Sequence, residues 1–452
     1  MKKLALVVLA AAVSAGIALA GPGQRRALQQ ALVLRGPSST SPLLGFRYGP
    51  RQTWLVRLDP KTLRARRGRR LALDSYSASW SYSPDRQLLS LGNQTSAPIT
   101  AVPARIRLVD VHTLHTLRVV PLGIDADVAY AHWVAPDRLI ALVRSRDDEV
   151  ARDQVVVVDP QTGAVEARQA LDGHAICAAR ADHALVLVLE GAAYGPVRVV
   201  VAYDDGRLAS VTLGQVQAGT RRTPDGVPRV DGAALAVDRQ GGRAFVVAAG
   251  DPVAEVALDS LAVQYHTLAQ PVSLLGRLHD WLEPRAQAKG PFEGSWRSAV
   301  WLGDGRLAVF GRDSSTYPAG DGLAVRERPS GLLVIDARSW ASQTVDPDSS
   351  AIVVADRALL SWGWSWDSGT ERLTGAGLNV YDQAGARLFH FFGRRVINDV
   401  AVVGSRAFVF RNGFENRHWY SVIDLHSGRQ LRKVRGNTLP LVLTDTGPTF
   451  FG

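Results

Sequence analysis

The chain has one cysteine, Cys177, and one methionine, Met1. A lone thiol cannot close an intrachain disulfide, so 452 residues must be held by an apolar core, which a chain of this length can build. Cys177 itself sits in Ala175-Ile176-Cys177-Ala178 and reads as a small buried apolar residue. Lysine is also scarce: of 52 basic residues only Lys2, Lys3, Lys61, Lys289 and Lys433 are lysine. The net charge of +10 is therefore carried by arginine and reads as a compositional bias. The densest basic run, Arg64, Arg66, Arg67, Arg69 and Arg70, lacks the interleaved aromatics of a single-strand binder. No specific nucleic acid is expected. The catalytic signatures are missing too. There is no Gly-x-Ser-x-Gly, no His-Glu-x-x-His, no paired cysteines, no phosphate loop and no Gly-x-Gly-x-x-Gly. Ten histidines are scattered without a close pair suited to a metal.

Long apolar runs are confined to the start. Lys2-Lys3 precede an uncharged stretch from Leu4 to Ala20 that ends Ala18-Leu19-Ala20. A basic head, an apolar body and a small-x-small end make residues 1–20 a signal peptide, cleaved after Ala20. The protein is then secreted or held in the cell envelope. An uncleaved N-terminal membrane anchor is the alternative, although the stretch is marginal against the ~20 residues that span a bilayer. No later segment suits an integral membrane domain. Residues 21–42 are rich in Gly, Pro, Ser and Gln and read as a linker. The folded domain is expected over 43–452, as a monomer.

What is abundant from there on is short apolar runs that end in an aspartate, turn and resume. The aspartates are Asp59, Asp110, Asp159, Asp204, Asp259, Asp336, Asp382 and Asp424, spaced 51, 49, 45, 55, 77, 46 and 42 residues apart. Asp59-Pro-Lys-Thr, Asp159-Pro-Gln-Thr-Gly163 and Asp424-Leu-His-Ser-Gly428 are turn sequences. The aspartate caps backbone N–H groups two residues on, Pro presets φ and Gly accepts positive φ. A second turn type alternates with the first: Pro84-Asp85, Pro136-Asp137, Asp304-Gly305, with weaker copies at Asp182, Asp238, Asp356, Ser405 and Asp445. A recurrence of this length, strand-rich and without long amphipathic helices, predicts an all-β chain forming a single β-propeller. Eight turns of each type predict eight four-stranded blades, seven being the alternative if the repeat near Asp259 is decorative. The first outer hairpin (near Asp59) would be completed by the last inner hairpin (near Asp445), so that N- and C-terminal strands pair and close the ring.

The alternation resembles WD40-like and YVTN-type propeller repeats, in which an Asp-x-x-Thr-Gly turn joins the outer strands and a Ser-Pro-Asp-Gly turn the inner ones. The resemblance spans roughly 53–452 and concerns the fold. No Trp-Asp pair ends a strand and no Gly-His pair recurs, as they would in true WD40 repeats. After Thr162-Gly163 comes Ala164-Val165-Glu166-Ala167, without the tryptophan of quinoprotein propellers, which argues against a quinone. No cofactor is expected, with Ca²⁺ as a candidate only at acidic loops of one blade: Asp125, Asp127, Asp147, Asp148 and Glu149, oxygen ligands of the type that ion takes.

In such a ring, with the strands of each blade lettered A to D from the channel outward, the D-to-A and B-to-C connections share one face around the channel mouth. The two longest, 271–295 and 312–330, fall on that face and are candidate lids or binding loops. The candidate ligand residues there are His279, Asp280 and Trp281, Tyr317, Trp366 and Asp367, Arg394, Phe414 and Arg417. Aromatic and guanidinium groups around a concave mouth suit an anionic or sugar-like ligand or an acidic peptide. Trp362, Trp364 and Trp366, at period two, are expected on one strand face and in inter-blade packing. The leading function is a non-enzymatic binding or scaffolding module for a protein, peptide or glycan partner. The competing class is a lactonase- or hydrolase-like enzyme with its site at the channel mouth.

Overall fold

The computed structural model describes residues 32–34, 42–48, 52–73, 76–94, 103–123, 126–145, 153–190, 194–222, 228–268, 293–319, 322–355, 358–411, 419–435, 440–443 and 450–451. Among these residues there are strands and turns and no α-helix. No helix among them is long and apolar enough to cross a membrane.

Antiparallel pairing sorts most strands into eight runs of four. The first run is Leu441–Val442, Leu44–Tyr48, Thr53–Arg57 and Leu71–Leu73. The second is Tyr76–Tyr82, Leu88–Gln94, Ala104–Asp110 and Thr116–Gly123. The third is Ala126–Ala135, Arg138–Ser145, Asp153–Val158 and Val165–Ala170. The fourth is His174–Ala181, Ala184–Glu190, Gly195–Tyr203 and Leu208–Arg222. The fifth is Ala234–Asp238, Arg243–Val247, Val253–Ala257 and Val263–His266. The sixth is Glu293–Gly303, Arg306–Ala319, Leu332–Asp336 and Ser342–Asp346. The seventh is Ala351–Ala355, Ala358–Asp367, Arg372–Tyr381 and Arg387–Phe391. The eighth is Ile397–Val403, Arg406–Arg411, Trp419–Asp424 and Arg429–Arg435.

All eight recurrent aspartates either end the third strand of a run or lie in the turn from it to the fourth. The physical cause is visible at each well-formed copy. Asp59 accepts the Lys61 and Thr62 N–H groups at 2.9 and 2.8 Å, and Asp159 accepts that of Gln161 at 2.7 Å. Asp336 takes Arg338 and Ser339 at 2.8 and 2.9 Å, and Asp424 takes His426 and Ser427 at 3.1 and 2.8 Å. These bonds hold the carboxyls of Asp59, Asp110, Asp159, Asp336 and Asp424 below the usual carboxylate range, against the opposing pull of desolvation. Gly163 and Gly428 then take positive φ (78° and 64°), which costs glycine little.

The inner strands are Val-, Leu- and Ala-rich and buried on both faces, so each run packs against two neighbours. Eight apolar clusters result, one between each consecutive pair of runs. The eighth joins the last run to the first, with Phe408, Val422 and Val434 against Val56, Leu58 and Val442. The first run therefore draws on both ends of the chain: Gly45 pairs with Val442 and Phe46 with Leu441. The expected division was two C-terminal inner strands with two N-terminal outer ones. The structure instead takes three strands from the N-terminal side, because Leu44–Tyr48 supplies the second position, and one from the C-terminal side. Phe450–Phe451 pairs elsewhere, with Cys177 and Ala178. Within the segment read as a linker, Leu32–Leu34 forms a strand parallel to Val353–Ala355.

One inner-strand carboxyl has a pH consequence. Asp399 lies where the pairing of Ile397–Val403 with its neighbour slips. Desolvation pushes its carboxyl up to about 6, only partly offset by a backbone hydrogen bond from Val400. A carboxyl raised in the fold is harmless below its unfolded value (~3.9) and destabilises as pH rises through about 6. Asp399→Asn should therefore raise stability by roughly 1–3 kcal/mol at pH 8 and by nothing at pH 4. Urea unfolding at the two pH values checks this, and equal gains at both would show that charge is not the cause.

Candidate functional site

The segment 312–330, expected as a long loop, is not one. The strand Arg306–Ala319 runs on beyond its own run and folds back as Gly322–Pro329, an extended hairpin paired from Arg312↔Pro329 to Ala319↔Gly322. Its returning arm then reaches the seventh run, pairing Arg326 with Asp367 and Glu327 with Trp366. On the other side Glu293–Trp296 pairs in parallel with Arg229–Gly232, which in turn pairs with the end of Leu208–Arg222. A hydrogen-bonded ribbon thus passes from the fourth run, past the short fifth, to the sixth and seventh. Gly294 and Gly311 lie at close approaches within it. A Cβ at either would meet a backbone oxygen at 1.9 Å, so only glycine fits.

Alternation along the hairpin separates two sets of side chains. Arg312 and Glu327 belong to one set. The Arg312 guanidinium is 3.5 Å from the Trp364 ring centroid, donates to Glu327 Oε2 at 2.9 Å and is paired with Ser350 Oγ at 3.5 Å. It is only 7 % exposed, and burial pushes it below the usual guanidinium range while Glu327 pulls the other way. Its Nε has no partner among the described residues. This set clamps the sixth run to the seventh.

The other set is Tyr317, Arg326 and Asp367. The Tyr317 hydroxyl donates to Asp367 Oδ1, and Arg326 donates to Asp367 Oδ2 from Nε at 2.9 Å, with Nη2 at 2.8 Å. Gly369 and Thr370 N–H groups add bonds to Oδ1 at 3.1 and 3.2 Å. Arg326 also lies 4.5 Å from the Tyr317 ring centroid. Desolvation pulls the Asp367 carboxyl up, but the Tyr317 and Arg326 bonds outweigh it and bring the group down to about 2. Tyr317 is raised in turn by the carboxylate it binds. The structure so brings together two predicted residues from separate runs, Tyr317 and Asp367. It adds Arg326, which the sequence reading missed. The signal was present: Asp321-Gly322 is a hairpin dipeptide, and Val325-Arg326-Glu327-Arg328 alternates behind it.

Among the described residues, the other predicted ligand residues, Trp366 and Arg394, do not join this group. Trp366 pairs with Glu327 and Leu373, one position off the Asp367 set. Arg394 is exposed in the turn before the eighth run. His279, Asp280, Trp281, Phe414 and Arg417 lie outside the described residues. So do Asp125, Asp147, Asp148 and Glu149, leaving Asp127 alone of the Ca²⁺ candidates. Among the described residues no three His, Cys, Asp or Glu side chains are grouped to hold a metal. The three tryptophans do not share one environment. Pairing slips between Trp362 and Trp364, beside a Gly377 with φ of 74°. Trp362 is buried with Ile397 and Val400 of the eighth run, while Trp364 lies under Arg312 of the sixth.

A groove lies between the sixth and seventh runs at their aspartate turns. It has a volume of about 260 Å³, between the Asp336 and Asp382 turns, with Val334, Val354 and Leu359 below and Arg306 and Gln343 at its side.

Solved structures similar to this chain are β-propellers, and that is its fold. The dihydro-heme d1 dehydrogenase NirN in complex with DHE matches over 92 % of this chain and 76 % of its own, at 11 % identity and a TM-score of 0.51. Sqt1 of Saccharomyces cerevisiae matches over 84 % and 96 % at 11 % identity and a TM-score of 0.43. The Cps50 (Swd1) β-propeller domain of Myceliophteria thermophila matches over 80 % and 88 % at 11 % identity and a TM-score of 0.37. No protein-family model matches the sequence, and no curated protein does. Likeness at this level of identity bears on the fold alone, and propellers serve unrelated functions.

Proposed function

We propose that the chain is a secreted or cell-envelope propeller of eight blades, closed into a ring where its N- and C-terminal strands pair, that binds a protein, peptide or glycan partner without catalysis. The eight inter-run clusters, the last returning to the first, support the closed ring. The observation that carries the binding reading is the Tyr317–Arg326–Asp367 group on an extended, sheet-braced hairpin. Asp367 accepts bonds from both side chains and from two backbone N–H groups, and its proton leaves near pH 2. Such a carboxylate is a poor general base at neutral pH. A rigid strand presenting a phenol and a guanidinium at its surface is instead suited to recognition, where Tyr and Arg anchors dominate.

Peptide and glycan arrays probed with the purified protein test this, with hits remeasured by calorimetry. Tyr317→Ala and Arg326→Ala should each weaken a genuine hit by about tenfold or more while the melting temperature stays near that of the parent. Because Asp367 has its carboxyl lowered in the fold, the group contributes fully above pH ~4 and is lost as pH falls through about 2. Binding should therefore be flat from pH 5 to 8. Hits indifferent to both substitutions would move the site off this hairpin. Turnover of a lactone, ester or glycoside by protein holding stoichiometric metal would overturn the non-catalytic reading.

A further inference from the structure

The arginine run in the first run's outer hairpin gains a second half from the far end of the chain. Arg64, Arg66, Arg67, Arg69 and Arg70 are all exposed. Beside them lies the outermost strand of the eighth run, where Arg429, Arg432, Lys433 and Arg435 are exposed as well. Two contacts fix the adjacency. Arg432 Nη2 donates to the Lys61 carbonyl at 2.7 Å, and the Tyr420 hydroxyl donates to the Thr62 carbonyl. Burial raises the Tyr420 phenol, and Arg64 and Arg432 both act on it electrostatically in the opposite sense. Val434 anchors the strand in the cluster that holds Leu58 and Leu63. The carboxylates of the two turns, Asp59 and Asp424, are engaged by their own turn N–H groups, and Arg66 lies 3.9 Å from Asp59.

We infer that this rim is a docking surface for an anionic phospholipid bilayer. Clusters of four to eight arginines and lysines attract such a surface, and guanidinium groups bind phosphate oxygens two at a time. The surface also carries an exposed leucine, Leu431, 48 % exposed between Arg429 and Arg432, which can enter the headgroup layer while the cations hold phosphates. A single nucleic-acid strand is less well served. The Trp54 indole beside the patch is already covered by Arg70, 4.0 Å from its ring centroid, so it offers no open stacking platform.

Vesicle co-sedimentation of the full chain tests the inference, comparing phosphatidylcholine vesicles with vesicles carrying about 30 % phosphatidylserine. Binding to the anionic vesicles should exceed that to the neutral ones by about tenfold or more at ~0.1 M salt, and the difference should vanish near ~0.5 M. Binding through the N-terminal apolar stretch and its Lys2-Lys3 head would be unchanged by substitutions in the rim, so the variants isolate the patch. The triple variant Arg64→Ser, Arg66→Ser, Arg67→Ser and the double variant Arg432→Ser, Lys433→Ser should each reduce the preference several-fold, and their combination should abolish it. All five side chains are exposed, and melting curves confirm that each variant is folded. No preference for phosphatidylserine, a preference unchanged in both variants, or tighter binding to heparin or a DNA duplex at matched anionic charge would each overturn the lipid assignment.

Discussion

Asp153→Ala is expected to cost about 3–5 kcal/mol, the range for removing one partner of a buried ion pair. The carboxylate has no exposure. It accepts Arg144 Nε and Nη2 at 3.1 and 3.2 Å and the Ala175 N–H at 2.8 Å. Arg144 Nη2 donates in addition to the Ala175 carbonyl at 2.7 Å. Asp153 opens the third strand of the third run, and Ala175 lies in the first strand of the fourth. One carboxylate thus ties two runs together above their shared core. Alanine would leave a guanidinium short of its counter-charge and a buried N–H without an acceptor, and both losses act at the same interface. Asp153→Asn keeps one acceptor and should fall between. Guanidinium unfolding of the three proteins checks the order. A cost below about 1 kcal/mol for alanine would mean that water reaches the pair and screens it.

The second large effect is expected from truncation after Leu439. Leu441, Val442 and Leu443 are 8, 6 and 4 % exposed, and each buried side chain of this kind contributes about 1.5–3 kcal/mol. Their loss also strips Gly45 and Phe46 of ladder partners and opens an edge along the first run. The sum, about 5 kcal/mol or more, is a large part of the 5–15 kcal/mol by which domains are typically stable. The truncated chain should aggregate or melt at least ~5 °C below the parent, from an unfolding entropy of about 2 cal/mol/K per residue over roughly 400 residues. A cooperative melt near the parental temperature would show that the first run stands on three strands and that the pairing of the two ends is incidental.

The repeat was legible because its signal is local. An aspartate that caps N–H groups two and three residues away, as at Asp59, Asp159, Asp336 and Asp424, writes its role into four adjacent letters. The extended hairpin was not read as one because its far arm is held by another run. The Asp321-Gly322 dipeptide marks a turn within 312–330, but what holds the returning arm as a strand is a partner some forty residues on, Asp367 opposite Arg326. The same limit hid the second strand of the first run. Leu44-Gly45-Phe46-Arg47-Tyr48 carries a glycine and an arginine and has no hairpin turn before it, yet it is buried because Leu441 and Thr53–Arg57 flank it. The tryptophan triplet failed for a different reason: period two holds only while the pairing stays in step, and one slip at Gly377 moves Trp362 and Trp364 to different neighbours.

The seam between Phe46 and Leu441 also orders events in time. A chain emerging from a ribosome presents Val56, Leu58 and Leu63 long before Phe408, Val422 and Val442, which will cover them, exist. Those apolar side chains must wait through nearly four hundred residues of synthesis. During that interval the first sheet is a natural client for a holding chaperone.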